Sequence, residues 1–252
     1  MARGPRLRSK SGIYHVMLRG INKQTIFEDD EDKYRFLYTV KEYSQANSYS
    51  VYGYCIMDNH VHLLLQEVED GVSTALRKIG ASYVFWYNKK YERCGPLFQD
   101  RFKSETVESD KYLWVVLRYI HYNPIKAGIC KSLNDYPWSS YKEYIDKPSL
   151  VDSDFCLDSF SKHRDKAIEL FIEFMNEETK DECLDFENYV RLTDDQVKNM
   201  IKEKGISNIS ELQTFERKKR NHILKELKSI NGISLRQLSR ITGISRSLIG
   251  RL

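Results

Sequence analysis

Residues 50–67, SVYGYCIMDNHVHLLLQE, do most to narrow the folds open to this chain. Two runs rich in β-branched and aromatic residues, 50–58 and 60–67, adjoin at Asp58 and Asn59. Such runs read as strands, and the polar pair between them suits a tight antiparallel hairpin. Two more segments, 12–18 (GIYHVML) and 97–107 (LFQDRFKSETV), also read as strands. Helical spacing appears in residues 30–47 (Tyr34, Phe36, Leu37, Val40, Tyr43) and 72–91 (Leu76, Ile79, Tyr83, Val84, Tyr87). Ser109 and Asp110 mark a third helix start, and that helix is expected to end near Asn123, bounded by Pro124. The order β-α-β-β-α-β-α predicts an α+β, ferredoxin-like antiparallel sheet with one added helix. Helices on one face would leave the other free for a ligand.

Beyond residue 135, YPWSSYKEYI reads as an aromatic strap packing back on this domain, and 164–178 as an amphipathic helix. Residues 193–252 read as all-helical. Asp194 and Asp195 precede one helix, and Ser210 precedes another running through ERKKRNHILKELKSI. Ser234 and Ser245 can cap two short helices separated at Gly243, which fits a helix-turn-helix. We therefore expect a sheet domain over 1–145, an acidic helical connector over 146–192 and a helix-turn-helix domain over 193–252.

Charge supports that division. Residues 1–150 carry 22 basic and 18 acidic side chains, residues 151–200 carry 6 and 14, and residues 201–252 carry 12 and 4. A basic tail behind an acidic stretch suits a polyanionic partner, although a solvated helical face has the same composition. Aromatic residues make up 12%, while Gly and Pro number 12 and 5, which argues against a disordered or collagen-like chain. No apolar run approaches the ~20 residues of a membrane span, and the basic N-terminus lacks the apolar segment of a secretory signal. The five cysteines form no CxxC pair, as expected of reduced thiols in a cytoplasmic protein.

Two short segments carry the chemistry. His60 and His62 alternate on a strand, so their rings share a face and can converge on one divalent cation. Tyr119 and Asn123 lie one helical turn apart on a common face. Tyr119 falls at the core edge, where a hydroxyl can protrude; His121 and Tyr122 lie off this face. Spacing alone leaves open that the histidines are two surface side chains and that Tyr119 is a core tyrosine. Taken together, two imidazoles and an amide oxygen suit Mg²⁺ or Mn²⁺ with open positions for phosphate oxygens. A tyrosine hydroxyl can attack phosphorus and form a covalent ester.

The string NHVHLLL resembles the His-hydrophobic-His signature of HUH single-tyrosine nucleases. RYIHYNPIKAG followed by YPWSSY, with YHVMLRGINKQTIFEDDEDKYRF at the start, is similar to insertion-sequence single-tyrosine transposases, closest to their branch associated with repetitive extragenic palindromes (REPs). The likeness covers residues 10–145. It implies the HUH nuclease fold, Tyr119 as nucleophile, a metal held by His60, His62 and Asn123, and Asn59 as turn and supporting residue. It also implies cleavage of single-stranded DNA near a hairpin, leaving a 5′-phosphotyrosine link and a free 3′-hydroxyl. Two positions depart from the branch: His121 stands where an acidic residue is common, and Asn123 where some relatives have glutamine. The tail resembles the helix-turn-helix of bacterial replication-initiator DNA-binding domains.

Candidate DNA contacts are Arg19, Asn22 and Lys23 after the first strand, and Arg101 and Lys103, expected to share a face of a later strand. In the tail they are Arg236, Arg240, Ser245, Arg246 and Ser247, although a protein-interaction module has similar residues. Tyr14, Tyr52, Tyr54 and Phe102 are candidates for base stacking, most of them expected in the core. The expected activity is DNA transposition: cutting and rejoining of single strands, with duplex DNA at the tail, in a cytoplasmic, nucleoid-associated protein. A homodimer and a monomer both fit the resemblance. The alternatives are a domesticated palindrome-processing relative with the same chemistry and a transcriptional regulator that only binds DNA.

Overall fold

The computed structural model describes residues 7–45, 49–67, 71–99, 101–177, 183–185, 192–206, 208–230 and 232–252. The chain forms two compact units, residues 1–185 and 186–252.

The first unit runs β1 (Ile13–Arg19), α1 (Asp30–Tyr43), β2 (Tyr49–Met57), β3 (His60–Glu67), α2 (Val72–Lys90), β4 (Lys103–Thr106) and α3 (Asp110–Lys126). The strands form one antiparallel sheet in the order β2-β3-β1-β4, which is the expected α+β arrangement. The hairpin closes at the Met57–His60 pair, leaving Asp58 and Asn59 as its turn. A loop after β1 clasps that turn: Gly20 N–H donates to the Asn59 carbonyl at 2.9 Å, and Ile26 N–H to the Asp58 carbonyl at 2.8 Å. Asp29 caps α1 and accepts from Asp32 N–H, and Ser109 caps α3 by accepting from Tyr112 N–H.

The sheet has two unlike faces. Val61, Leu63 and Leu65 of β3 are fully buried on one. Phe27, Phe36 of α1 and Tyr83 of α2 form an aromatic cluster with ring centroids 5.3–5.4 Å apart. The other face carries His60 and His62, and it is not bare as expected: α3 crosses it. Gly53 of β2 marks the crossing, since a Cβ there would come within 2.6 Å of Leu117 Cδ1.

Other expectations are corrected. The third helix runs past Pro124 to Lys126. Proline deprives the Ile120 carbonyl of its usual N–H partner, and the Asn123 side-chain amide lies 3.4 Å from that carbonyl. β4 is shorter than 97–107. Pairing with β1 is interrupted: Phe98 bridges Gly20, and regular pairing resumes only at Lys103 with Met17. Arg101 therefore lies outside the strand and does not share a face with Lys103 by alternation. The 146–192 segment is not merely a connector. Its α5 (Ser153–Leu157) and α6 (Arg164–Asn176) bury Cys156, Leu157, Ala167, Phe171 and Met175 in the core that holds α3. Before them, the strap after residue 135 pairs along β2, with Ile56 N–H donating to the Trp138 carbonyl at 2.9 Å, and ends in α4 (Tyr141–Ile145).

The second unit has α7 (Asp194–Glu203), α8 (Arg217–Ser229), α9 (Leu235–Thr242) and α10 (Arg246–Arg251) around Val197, Ile201, Leu212, Leu224, Leu227, Leu238 and Ile249. The helix expected from Ser210 onward is broken: a 3₁₀ turn over Ile209–Gln213 precedes α8. Ser234 caps α9, and Gly243 ends it in the left-handed conformation at φ +69°. Ser245 stands at the N-cap of α10 without the expected cap bond; its hydroxyl faces that of Ser247 at 3.4 Å. No described helix is long and apolar enough to cross a membrane.

Candidate active site

Strand alternation does put both histidines on one side. The His60 and His62 rings lie 5.1 Å apart, centroid to centroid. Tyr119 of α3 lies above them, its ring 5.9 Å from that of His62 and 6.0 Å from that of His15. The three predicted residues therefore meet within one chain. The site is less open than expected, since His62 has no exposed surface and Tyr119 is only 6% exposed.

Each histidine has one ring nitrogen engaged. His60 Nδ1 donates to Asn59 Oδ1 at 2.6 Å, while the Asn59 amide donates to the Lys23 carbonyl at 3.3 Å. His62 Nδ1 lies 3.0 Å from His15 Nε2, and His15 Nδ1 lies 2.7 Å from Glu105 Oε1. His62 Nε2 is buried with no hydrogen-bond partner. Leaving a buried ring nitrogen unpaired is costly, and a cation would satisfy it. Burial holds His62 well below the ordinary imidazole range, with the His15 and His60 rings adding to the effect. Burial also lowers His60, to about 4. Neutral imidazoles are the form that binds metal. Among the described residues no set of three His, Cys, Asp or Glu side chains is placed to hold a cation. Asn123 is available by chemistry: its Nδ2 donates to the Tyr119 carbonyl at 2.9 Å, which leaves Oδ1 as an acceptor.

Three residues at this site were absent from the sequence reading. His15 is registered opposite Glu105, and Met17 opposite His62, so β1 places His15 diagonally beside His62. Asp185 accepts a hydrogen bond from the Tyr119 hydroxyl. Burial and then the Asp185 charge push the Tyr119 phenol above its usual range, while Lys126 Nζ stands 4.4 Å over its ring. The segment carrying Asp185 is anchored next to it, with Leu184 N–H donating to Glu105 Oε1 at 3.0 Å and Lys103 Nζ to the Asp185 carbonyl at 3.3 Å. Alternation within 12–18 could have put His15 on the Arg19 face, but nothing in the sequence pairs it with His62.

The predicted DNA contacts are divided. Arg19 is paired opposite His60 and Lys103 opposite Met17, so both belong to the site's face. Asn22 and Lys23 are exposed on a turn where both residues have positive φ, 53° and 64°. Arg101 is exposed outside the strand. In the second unit Arg236, Ser245, Arg246 and Ser247 are exposed, whereas Arg240 forms an ion pair with Asp194 at 2.7 Å. Tyr14, Tyr52 and Tyr54 lie in the core, and Phe102 is half-buried. His121 is buried, its Nε2 bonded to Ser140 Oγ at 2.8 Å, and Tyr122 is half-buried.

Residues 8–123 match the family described as transposase IS200 like. A Haemophilus influenzae protein assigned to the REP-associated tyrosine transposases is 29% identical over 147 residues, which is 53% of this chain and 81% of that protein. A solved structure of a REP-associated tyrosine transposase bound to a REP hairpin superposes with a TM-score of 0.50 at 19% identity, covering 61% of this chain and 90% of that one. At that identity the match speaks for the fold.

Proposed function

We propose that this protein, whose residues 8–123 match the IS200-like transposase family, cuts and rejoins single-stranded DNA beside a hairpin through a phosphotyrosine link to Tyr119. The observation that carries this reading is the edge-on contact of the Tyr119 ring with His62, 5.9 Å between centroids, where His62 Nε2 is buried and unpaired.

A divalent ion, Mg²⁺ or Mn²⁺, held through the Nε2 atoms of His60 and His62 with the Asn123 amide oxygen, would polarise the scissile phosphate. The protein's own groups do the rest. Asn59 fixes the His60 ring. Arg19 and Lys103 position phosphates on the sheet face. The Tyr119 oxygen attacks phosphorus, its proton passing to water; the bond to the 3′ oxygen breaks, and that oxygen takes a proton from water to leave as the 3′-hydroxyl. Reversal by another 3′-hydroxyl rejoins the strand. Asn22, Lys23 and Arg101 contact DNA at the rim. In the second unit, α9 and α10 form a helix-turn-helix that meets duplex DNA through Arg236, Arg240, Ser245, Arg246 and Ser247. The reading carries with it a cytoplasmic, nucleoid-associated protein.

Covalent trapping tests it. Incubation with a hairpin-flanked oligonucleotide and Mn²⁺ or Mg²⁺ should yield a denaturant-stable adduct, lost in a folded Tyr119→Phe variant. An adduct that survives in that variant moves the nucleophile elsewhere, first to Tyr122. Binding without any adduct would favour a non-catalytic regulator.

A further inference from the structure

We propose that His15 and Glu105 are positioning residues that fix which nitrogen of His62 carries the proton, and so present its Nε2 lone pair to the cation. The proposal rests on the metal-assisted reading above and assigns a role to two residues outside it.

The argument follows hydrogen-bond polarity from strand to strand. A carboxylate only accepts. Glu105 Oε1, 2.7 Å from His15 Nδ1, therefore requires the proton on that nitrogen. In a neutral His15 ring the opposite nitrogen, Nε2, is then an acceptor. It lies 3.0 Å from His62 Nδ1, which in that state is the donor. A neutral His62 with its proton on Nδ1 has its lone pair on Nε2, the atom that is buried without a partner. Reversing either hydrogen bond would place an N–H on Nε2 with nothing to accept it and no lone pair for a cation.

Position reinforces polarity. His15 and His62 have no exposed surface, so water cannot substitute for either partner. Their rings stack at 5.2 Å with an interplanar angle of 27°, which fixes tilt as well as tautomer. Glu105 is held in turn by Leu184 N–H at 3.0 Å. The other histidine reaches the same end more simply, through Asn59 Oδ1 on its Nδ1. One ring is thus oriented from the hairpin turn and the other from across two strands. Partners of this kind raise metal affinity by ordering the ligand before the ion arrives.

The test uses the full-length protein and Mn²⁺ alone. In metal-free protein labelled with ¹⁵N-histidine, long-range proton–nitrogen spectra should show His62 protonated on Nδ1 and bare on Nε2. In His15→Phe that preference should be lost. Mn²⁺ affinity, read from the free-ion paramagnetic resonance signal, should fall roughly 10- to 100-fold, with hairpin binding in chelator unchanged. Glu105→Gln keeps the size of the side chain but removes its charge and lets an amide N–H as well as an oxygen face His15; it should give a smaller loss and carries the test if His15→Phe fails to fold. Finding the wild-type His62 proton on Nε2 overturns the proposal. So does Mn²⁺ affinity equal to wild type in both variants, and that result leaves the metal reading intact. A wild-type protein that binds no Mn²⁺, with the expected tautomer, overturns the metal reading and with it the service claimed for His15 and Glu105.

Discussion

The Asn123 side-chain amide donates to the carbonyl of Tyr119, 2.9 Å away and one turn back along the same helix. It also lies 3.4 Å from the Ile120 carbonyl, which Pro124 deprives of its usual backbone donor. Asn123→Ala should therefore cost about 1 kcal/mol of stability, measured by urea unfolding. The loss should shrink in a Pro124→Ala background, where a backbone N–H can serve Ile120. Equal losses in both backgrounds would show that the amide does not complete the helix.

Asp185 acts directly on the phenol proposed as nucleophile. After burial, its charge and hydrogen bond are the main causes that raise the Tyr119 phenol. Asp185→Asn removes the charge, so the phenolate forms at lower pH. The ascending limb of adduct formation should move to lower pH, and an unmoved profile would detach Asp185 from the chemistry.

Buried imidazoles predict acid sensitivity in the metal-free protein. Burial lowers His121 to about 3 and His60 to about 4. The unfolded chain takes up protons at these rings near pH 6.5, while the folded chain refuses them until far lower. Stability is thus complete above about pH 6.5 and declines as pH falls toward the folded values, by up to ~1.4 kcal/mol per pH unit for each ring. Urea midpoints between pH 7.5 and 4.5 should show that decline, and His121→Gln should make it shallower. An unaltered slope would place the lost protons on other groups.

DNA binding should weaken steeply with salt, because phosphate contacts release counterions. Lys103→Ala should lower the slope of log affinity against log salt by about one, as measured by anisotropy with a hairpin oligonucleotide. A flat response in the wild type would count against DNA as the partner.

The legible parts of this molecule were those governed by short-range periodicity. His60 and His62 share a face because strands alternate, and Ser109 starts α3 because its side chain can satisfy a free N–H. What escaped was long-range register. The order β2-β3-β1-β4 brings His15 and Glu105 to His62 from two other strands, and no local pattern encodes that diagonal. Asp185 is farther still along the chain from Tyr119. The apolar stripe of 164–178 was visible as a helix, but its partner was not: Phe171 packs 6.5 Å from His121, inside the first core. Arg101 was misplaced because a break in strand pairing leaves no sequence mark of its own.

The crossing of α3 over Gly53 has a kinetic corollary. Because the tyrosine helix rests on the histidines of its own chain, one molecule holds every side chain the reaction is asked to use. Turnover per molecule should then be indifferent to dilution, and mixing two differently inactivated variants, one lacking the phenol and one lacking an imidazole, should restore nothing.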